Sequence, residues 1–89
     1  SPGIPLRMNI KRSNEEEAFV LIKKRKITFK NYYYLSKKND LKQAARNLYP
    51  LLRKIKKDGY KMIAVEKIQN KGIGKTINDR LNRASKFNG

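Results

Sequence analysis

Apolar positions along this chain change rhythm from one stretch to the next, and each rhythm specifies an element. Residues 18–22, AFVLI, are a short apolar run of strand formers. Four basic residues, KKRK, separate it from residues 27–36, ITFKNYYYLS, a β-branched and aromatic stretch with the character of a second strand. So short a connection predicts a hairpin, since a parallel crossover ordinarily takes about a dozen residues or more. Residues 40–59 carry the clearest helical signal: Leu41, Ala44, Ala45, Leu48, Leu52 and Ile55 recur on one face. Asp40 is placed to cap the start, with Gln43 three residues on to close a capping box, and Gly59 to stop the end. Pro50 lies inside this run and predicts a kink near residues 46–49, or two short helices in line.

Residues 60–68 follow, apolar without alternation from Met62 to Val65, as in a strand covered on both faces. A glycine turn then leads to a last helix beginning at Gly74 or Thr76, with Ile77, Leu81, Ala84 and Ser85 inward and Phe87 near its end. The predicted fold class is α/β: a small three-stranded sheet in the order ββαβα, closed by a right-handed, Rossmann-like βαβ unit. Residues 1–12 read as a linker or the remnant of a cleaved expression tag, with Met8 as the native start. Residues 13–89 read as a single small domain, and KRSNEEE at 11–17 as an exposed lead-in.

Charge changes this picture more than any other bulk property. Of 89 residues, 23 are Lys or Arg and 7 are Asp or Glu, a formal net charge of +16. A surface of this sign attracts polyanions by releasing their counterions, so RNA or DNA is the expected partner; the plainer account is a solvated lysine coat. Cysteine and histidine are both absent, which removes disulfides, thiolate metal sites and the commonest catalytic base. No apolar run is long enough to span a membrane. The expected setting is cytoplasmic, with no membrane partner and no cofactor.

The cations fall into two groups. Lys42, Arg46, Arg53 and Lys57, with Tyr49, run along the outer face of the first helix; Lys23, Lys24, Arg25 and Lys26 crowd the early loop beside Lys30 and Tyr32–Tyr34. Basic side chains can hold phosphates while an exposed tyrosine stacks on an unpaired base. Alternatively, alternate tyrosines face the core. Gly72, Gly74 and Lys75, followed by Thr76, resemble the end of a phosphate loop, but Gln69 stands where the first glycine should be. These residues are a weak anion site at most, and a tight strand-to-helix turn explains both glycines. Asp79 is spaced to pair with Lys75 and Arg83 on the helix surface. Asp58 and Glu66 stand apart in sequence, so no acid–base pair can be assembled from spacing alone.

Residues 44–87 also carry a family pattern. Ala45, Asn47, Leu48, Tyr49, Leu52 and Arg53 form an Ala-x-Asn-Leu-Tyr-x-x-Leu-Arg block on the first helix. Glu66 ends the following strand, Gly72 and Gly74 flank Ile73, and Asp79, Arg80, Leu81, Arg83 and Ala84 mark the last helix. This arrangement resembles the C-terminal accessory domain of long-form threonylcarbamoyl-AMP synthases. The resemblance implies a small Rossmann-like sheet and a partner: the catalytic domain, in cis or in trans, that condenses threonine, bicarbonate and ATP for the modification of tRNA. It further implies that this stretch of chain is regulatory or scaffolding, and that it does not catalyse that reaction alone. Ser1-Pro2-Gly3 matches the start of the family's linker, whereas the His-Tyr that follows in the family is missing and Pro50 interrupts a helix that is normally continuous. The alternative is a free-standing basic protein that binds tRNA or other RNA with the same fold.

Overall fold

The computed structural model describes residues 3–86. Its first helix, α1 (Leu41–Lys57), starts where expected: the Asp40 carboxylate accepts from the amides of Lys42 and Gln43 and caps the N-terminus. Gln43 does not reach back to close the box directly. The Ser36 hydroxyl stands between, donating to the Gln43 side chain at 2.6 Å and accepting from the Asp40 amide at 2.9 Å. Gly59, at φ 95°, supplies the left-handed residue after the C-cap. Pro50 neither splits α1 nor ends it, contrary to the expected break. Pro50 and Arg46 are both exposed, so the carbonyl that loses its donor is on the side of the helix where water can satisfy it.

Among the described residues the sheet has four strands, not three, and all are parallel. In chain order they are β1 (Leu6–Arg7), β2 (Ala18–Leu21), β3 (Tyr32–Tyr34) and β4 (Ile63–Val65), arranged β1-β4-β2-β3. β1 lies in the segment expected to be linker, and Ile4 beside it is buried. The expected hairpin is replaced by parallel pairing of Phe19, Val20 and Leu21 with Tyr32, Tyr33 and Tyr34. Strands of three or four residues are only about 10–13 Å long, so the connector at 22–31 can return their length without a helix. The crossover from β3 through α1 to β4 is present, but β2 lies between its two strands. The second helix, α2 (Ile73–Lys86), begins one residue before Gly74. Phe87 lies outside the described residues.

The two faces of this sheet are covered differently. On one, Ala18, Val20, Tyr33, Ile63 and Val65 meet Ala44, Leu48, Leu52 and Ile55 of α1 and Ile77, Leu81 and Ala84 of α2 in a single apolar core. On the other, Phe19, Leu21 and Ala64 are buried with Ile10, Tyr32 and Tyr34 around them, and no helix belongs to that cluster. Handedness explains the division. β3→β4 runs one way across the sheet, β1→β2 and β2→β3 the other, and right-handed crossovers in opposite directions lie on opposite faces. The connectors at 8–17 and 22–31 therefore cover the second face.

Candidate nucleic-acid interface

A buried polar cluster anchors the first connector. Glu17 was expected in an exposed lead-in but is fully buried. Its carboxylate accepts both bonds of a fork from Arg7 Nη2, at 2.7 and 2.9 Å, and a third from the Asn14 amide at 3.1 Å. Asn31, also buried, donates through Nδ2 to the Ser13 hydroxyl and to the carbonyls of Asn14 and Glu17. These bonds tie residues 13–17 to the entrance of β3, so the connector is held rather than draped.

The second connector is pinned at three points. Glu66, just after β4, accepts from the Ile22 amide at 2.7 Å and from Arg25 at 3.2 Å. The Arg25 guanidinium also stands 5.4 Å from the Phe19 ring centre, on the second face of the sheet. Tyr34 donates to the Thr28 hydroxyl at 2.8 Å. Rings continue the surface: Tyr32 meets Phe19, Phe29 and Tyr34 edge to face, at 5.4, 5.3 and 6.4 Å between centres. Phe29 remains 59% exposed and Ile27 70%. Between the two connectors lies a cleft of about 620 Å³, lined by Lys11, Arg12, Arg25, Phe29, Lys30 and Tyr32 among others.

A second cleft, about 420 Å³, opens at the carboxyl ends of β2 and β4, where the chain leaves β2 for the connector to β3 and β4 for α2. Lys23, Arg25, Glu66 and Gly74 line it. A third, about 490 Å³, runs along the β3 edge beside Lys24, Lys30 and Asp58. Asp58 is not isolated: Tyr33 donates to it at 2.6 Å, which holds its carboxyl below the ordinary range, while burial and that same partner push the Tyr33 hydroxyl well above its own.

The predicted cations separate on this framework. Lys23, Lys24, Arg25 and Lys26 are exposed on the second connector, with Arg25 committed to Glu66 and Phe19. Lys42, Arg46, Arg53 and Lys57 are exposed on α1, and none of the three clefts includes them. Of the tyrosines, Tyr33 enters the helix-side core, whereas Tyr32 and Tyr34 are half-buried on the second face. The glycine turn has a packing explanation: Gly72 takes φ 58°, and a Cβ at Gly74 would run into the Gln69 carbonyl oxygen. Lys75 pairs with Asp79 at 3.1 Å, and no ion pair joins Asp79 to Arg83 among the described residues.

Other family-motif residues hold elements together. Asn47 Nδ2 donates to the Leu35 carbonyl at 2.8 Å, fixing α1 to the exit of β3, and Arg80 reaches the Ala45 carbonyl at 3.4 Å, joining the helices. Asn78, which sequence reasoning did not single out, does for α2 what Asn47 does for α1, donating to the Ile68 carbonyl at 2.8 Å. Among the described residues no group of three His, Cys, Asp or Glu is placed to hold a metal ion, and no helix is long and apolar enough to cross a membrane.

The family comparison covers nearly the whole chain. The family described as the threonylcarbamoyl-AMP synthase C-terminal domain matches residues 2–86, β1 included, and the chain belongs to that family. No curated protein and no solved structure matches it significantly.

Proposed function

We propose that this chain acts as a non-catalytic accessory domain for a threonylcarbamoyl-AMP synthase catalytic domain, in cis or in trans, in the cytoplasmic modification of tRNA. The observation that carries this reading is the family match over residues 2–86. The fates of the motif residues agree with it: Asn47, Arg80, Glu66 and Gly74 are engaged in packing and hydrogen bonds that build the fold. Arg53 and Arg83, exposed on the two helices, remain for contact with a partner. The test is to mix the purified chain with a threonylcarbamoyl-AMP synthase catalytic domain and follow both co-elution and ATP turnover. Association, with turnover only when the catalytic domain is present, is the expected result. Turnover by the chain alone that vanishes in Lys75→Ala would overturn it.

A second reading, binding of tRNA or other RNA through the basic residues, is favoured by one observation: all eight of the predicted cations are solvent-exposed. Arg46→Glu/Arg53→Glu should then weaken binding to unrelated RNA sequences alike, because phosphate contacts carry no sequence code.

A further inference from the structure

We infer that the cleft between the two connectors, on the sheet face without helices, binds an unpaired stretch of RNA. A base stacks on Phe29 or Tyr32, and Lys11, Arg12 and Lys30 hold the adjoining phosphates. The choice of RNA rests on the proposed link to tRNA modification; Lys30 and Tyr32 were already legible beside the early-loop cations, whereas Lys11, Arg12 and Phe29 belong neither to the predicted basic patches nor to the family motif.

Three observations converge on this occupant. The first is ring exposure. A large aromatic that is 59% exposed beside a half-buried one is uncommon on a small domain, where such rings would ordinarily complete the core. Phe29 and Tyr32 instead contact each other edge to face, at 69° between planes, so the two rings are not stacked on one another and Phe29 keeps most of its surface open to solvent. An uncovered ring face is what a base requires, and base–aromatic stacking tolerates any sequence.

The second is charge complementarity. Lys11, Arg12, Arg25 and Lys30 line the cleft against one carboxylate, Glu15. Arg25 is committed to Glu66, but Lys11, Arg12 and Lys30 make no ion pair among the described residues. Three unneutralised cations at the rim of an aromatic floor fit a polyanion with planar bases and are poorly suited to an apolar protein surface. The third is how the walls are held. Asn31, Glu17 and Arg7 fix one connector, and Glu66 and the Tyr34–Thr28 bond fix the other, so little ordering is required on binding. A double helix keeps its bases stacked inside, so the aromatic contribution belongs to single strands alone.

The experiment measures binding of an oligouridine of roughly ten nucleotides and of a blunt RNA duplex to the whole chain. It compares the wild type, Phe29→Ala/Tyr32→Ala, Tyr32→Phe and Arg46→Glu/Arg53→Glu, with thermal melting to check each fold. The aromatic double variant should lose about tenfold or more of its oligouridine affinity while duplex binding changes little, and Tyr32→Phe should bind as wild type. Should the double variant fail to fold, Lys11→Glu/Lys30→Glu replaces it. Its oligouridine affinity should fall, and its log–log salt dependence should become shallower by roughly 0.7 for each phosphate no longer neutralised. Undiminished oligouridine binding by the aromatic or the lysine variant would overturn the inference, as would an equal loss on strand and duplex. Loss confined to Arg46→Glu/Arg53→Glu would place RNA on α1 and also reject the cleft. If the aromatic variant keeps oligouridine but no longer associates with a catalytic domain, the cleft is a protein-docking face: the inference falls and the accessory-domain reading survives.

Discussion

The two faces of the sheet use the same strands and reach different ends. On the helix side, residues of β2, β3 and β4 interlock with seven buried side chains from α1 and α2, and aliphatics do nearly all of the filling. On the connector side, three residues, Phe19, Leu21 and Ala64, are just as deeply buried, yet what covers them is a ring of aromatics, one arginine and two irregular segments. A helix seals a face because its own backbone is already hydrogen-bonded. A connector must find partners for its amides and carbonyls, and here it finds them in Glu17, Asn31 and Glu66. The second face is therefore polar in its fixings and open between them, which leaves room for the cleft beside Phe29 and Tyr32.

The largest expected effect lies on the helix side. Leu48→Ala or Leu81→Ala should cost about 2–5 kcal/mol in chemical denaturation, much of the stability of so small a domain. A loss under about 0.5 kcal/mol would mean that the aliphatic face does not carry the fold. Next comes the connector side: Arg7→Ala leaves the Glu17 carboxylate buried without its charged partner, at about 1–3 kcal/mol. Adding Glu17→Gln should restore part of that stability, because an amide can stay buried without a counter-charge; no recovery would show that Arg7 acts by packing alone. Ile27→Ser, at the exposed tip of the second connector, should shift stability by less than about 0.5 kcal/mol.

The smallest effect is a pH dependence along the β3 edge. Asp58 is held low chiefly by the Tyr33 hydroxyl, and Asp40 chiefly by the Gln43 amide. Their stabilising contribution is present above the ordinary carboxylate pKa of about 4 and is lost as pH falls through the folded values. Tyr33 is raised, first by burial and then by Asp58, so its contribution is present below about pH 10 and is lost as pH rises through the folded value. Melting temperature should hold across neutral pH and fall at both extremes, and Tyr33→Phe should flatten both slopes. Unchanged slopes in that variant would remove the Tyr33–Asp58 pair from the account.

What could be read in the sequence follows the same division. α1 was legible to its caps because Asp40, Gly59 and the apolar period all act within the helix, and the inner face of α2 followed from Ile77, Leu81 and Ala84. β1 was not, since two residues between Pro5 and Met8 show no alternation and become a strand only by pairing with Ile63 and Ala64. The hairpin expectation failed for a related reason: it placed the second strand from Ile27 and left four residues to connect. β3 begins instead at Tyr32, and the connector, at ten residues, is long enough to return the length of so short a strand. The resemblance named the family, but the positions of Glu66, Asn47 and Arg80 alone did not reveal their partners. Those lie on other elements, brought near by crossovers. Glu17 and Asn31 were missed because nothing local distinguishes a buried polar side chain from the exposed ones beside it.

The place of β4 between β1 and β2 has a consequence in time. β4 follows more than sixty residues of chain, yet it is the strand on which both neighbours depend, so β1 has no partner until it arrives. A nascent chain that has emerged only through α1 can pair β2 with β3, but β1 and the edge of β2 stay open, with the β4-side flank of Phe19 and Leu21 uncovered. Pairings this distant in sequence close slowly, and a half-made sheet with a free edge invites contact with other chains. Folding of this domain is thus a late event of its own synthesis: the segment at 63–65 must slide between strands that were translated long before it, and α2 must then close the helix-side core.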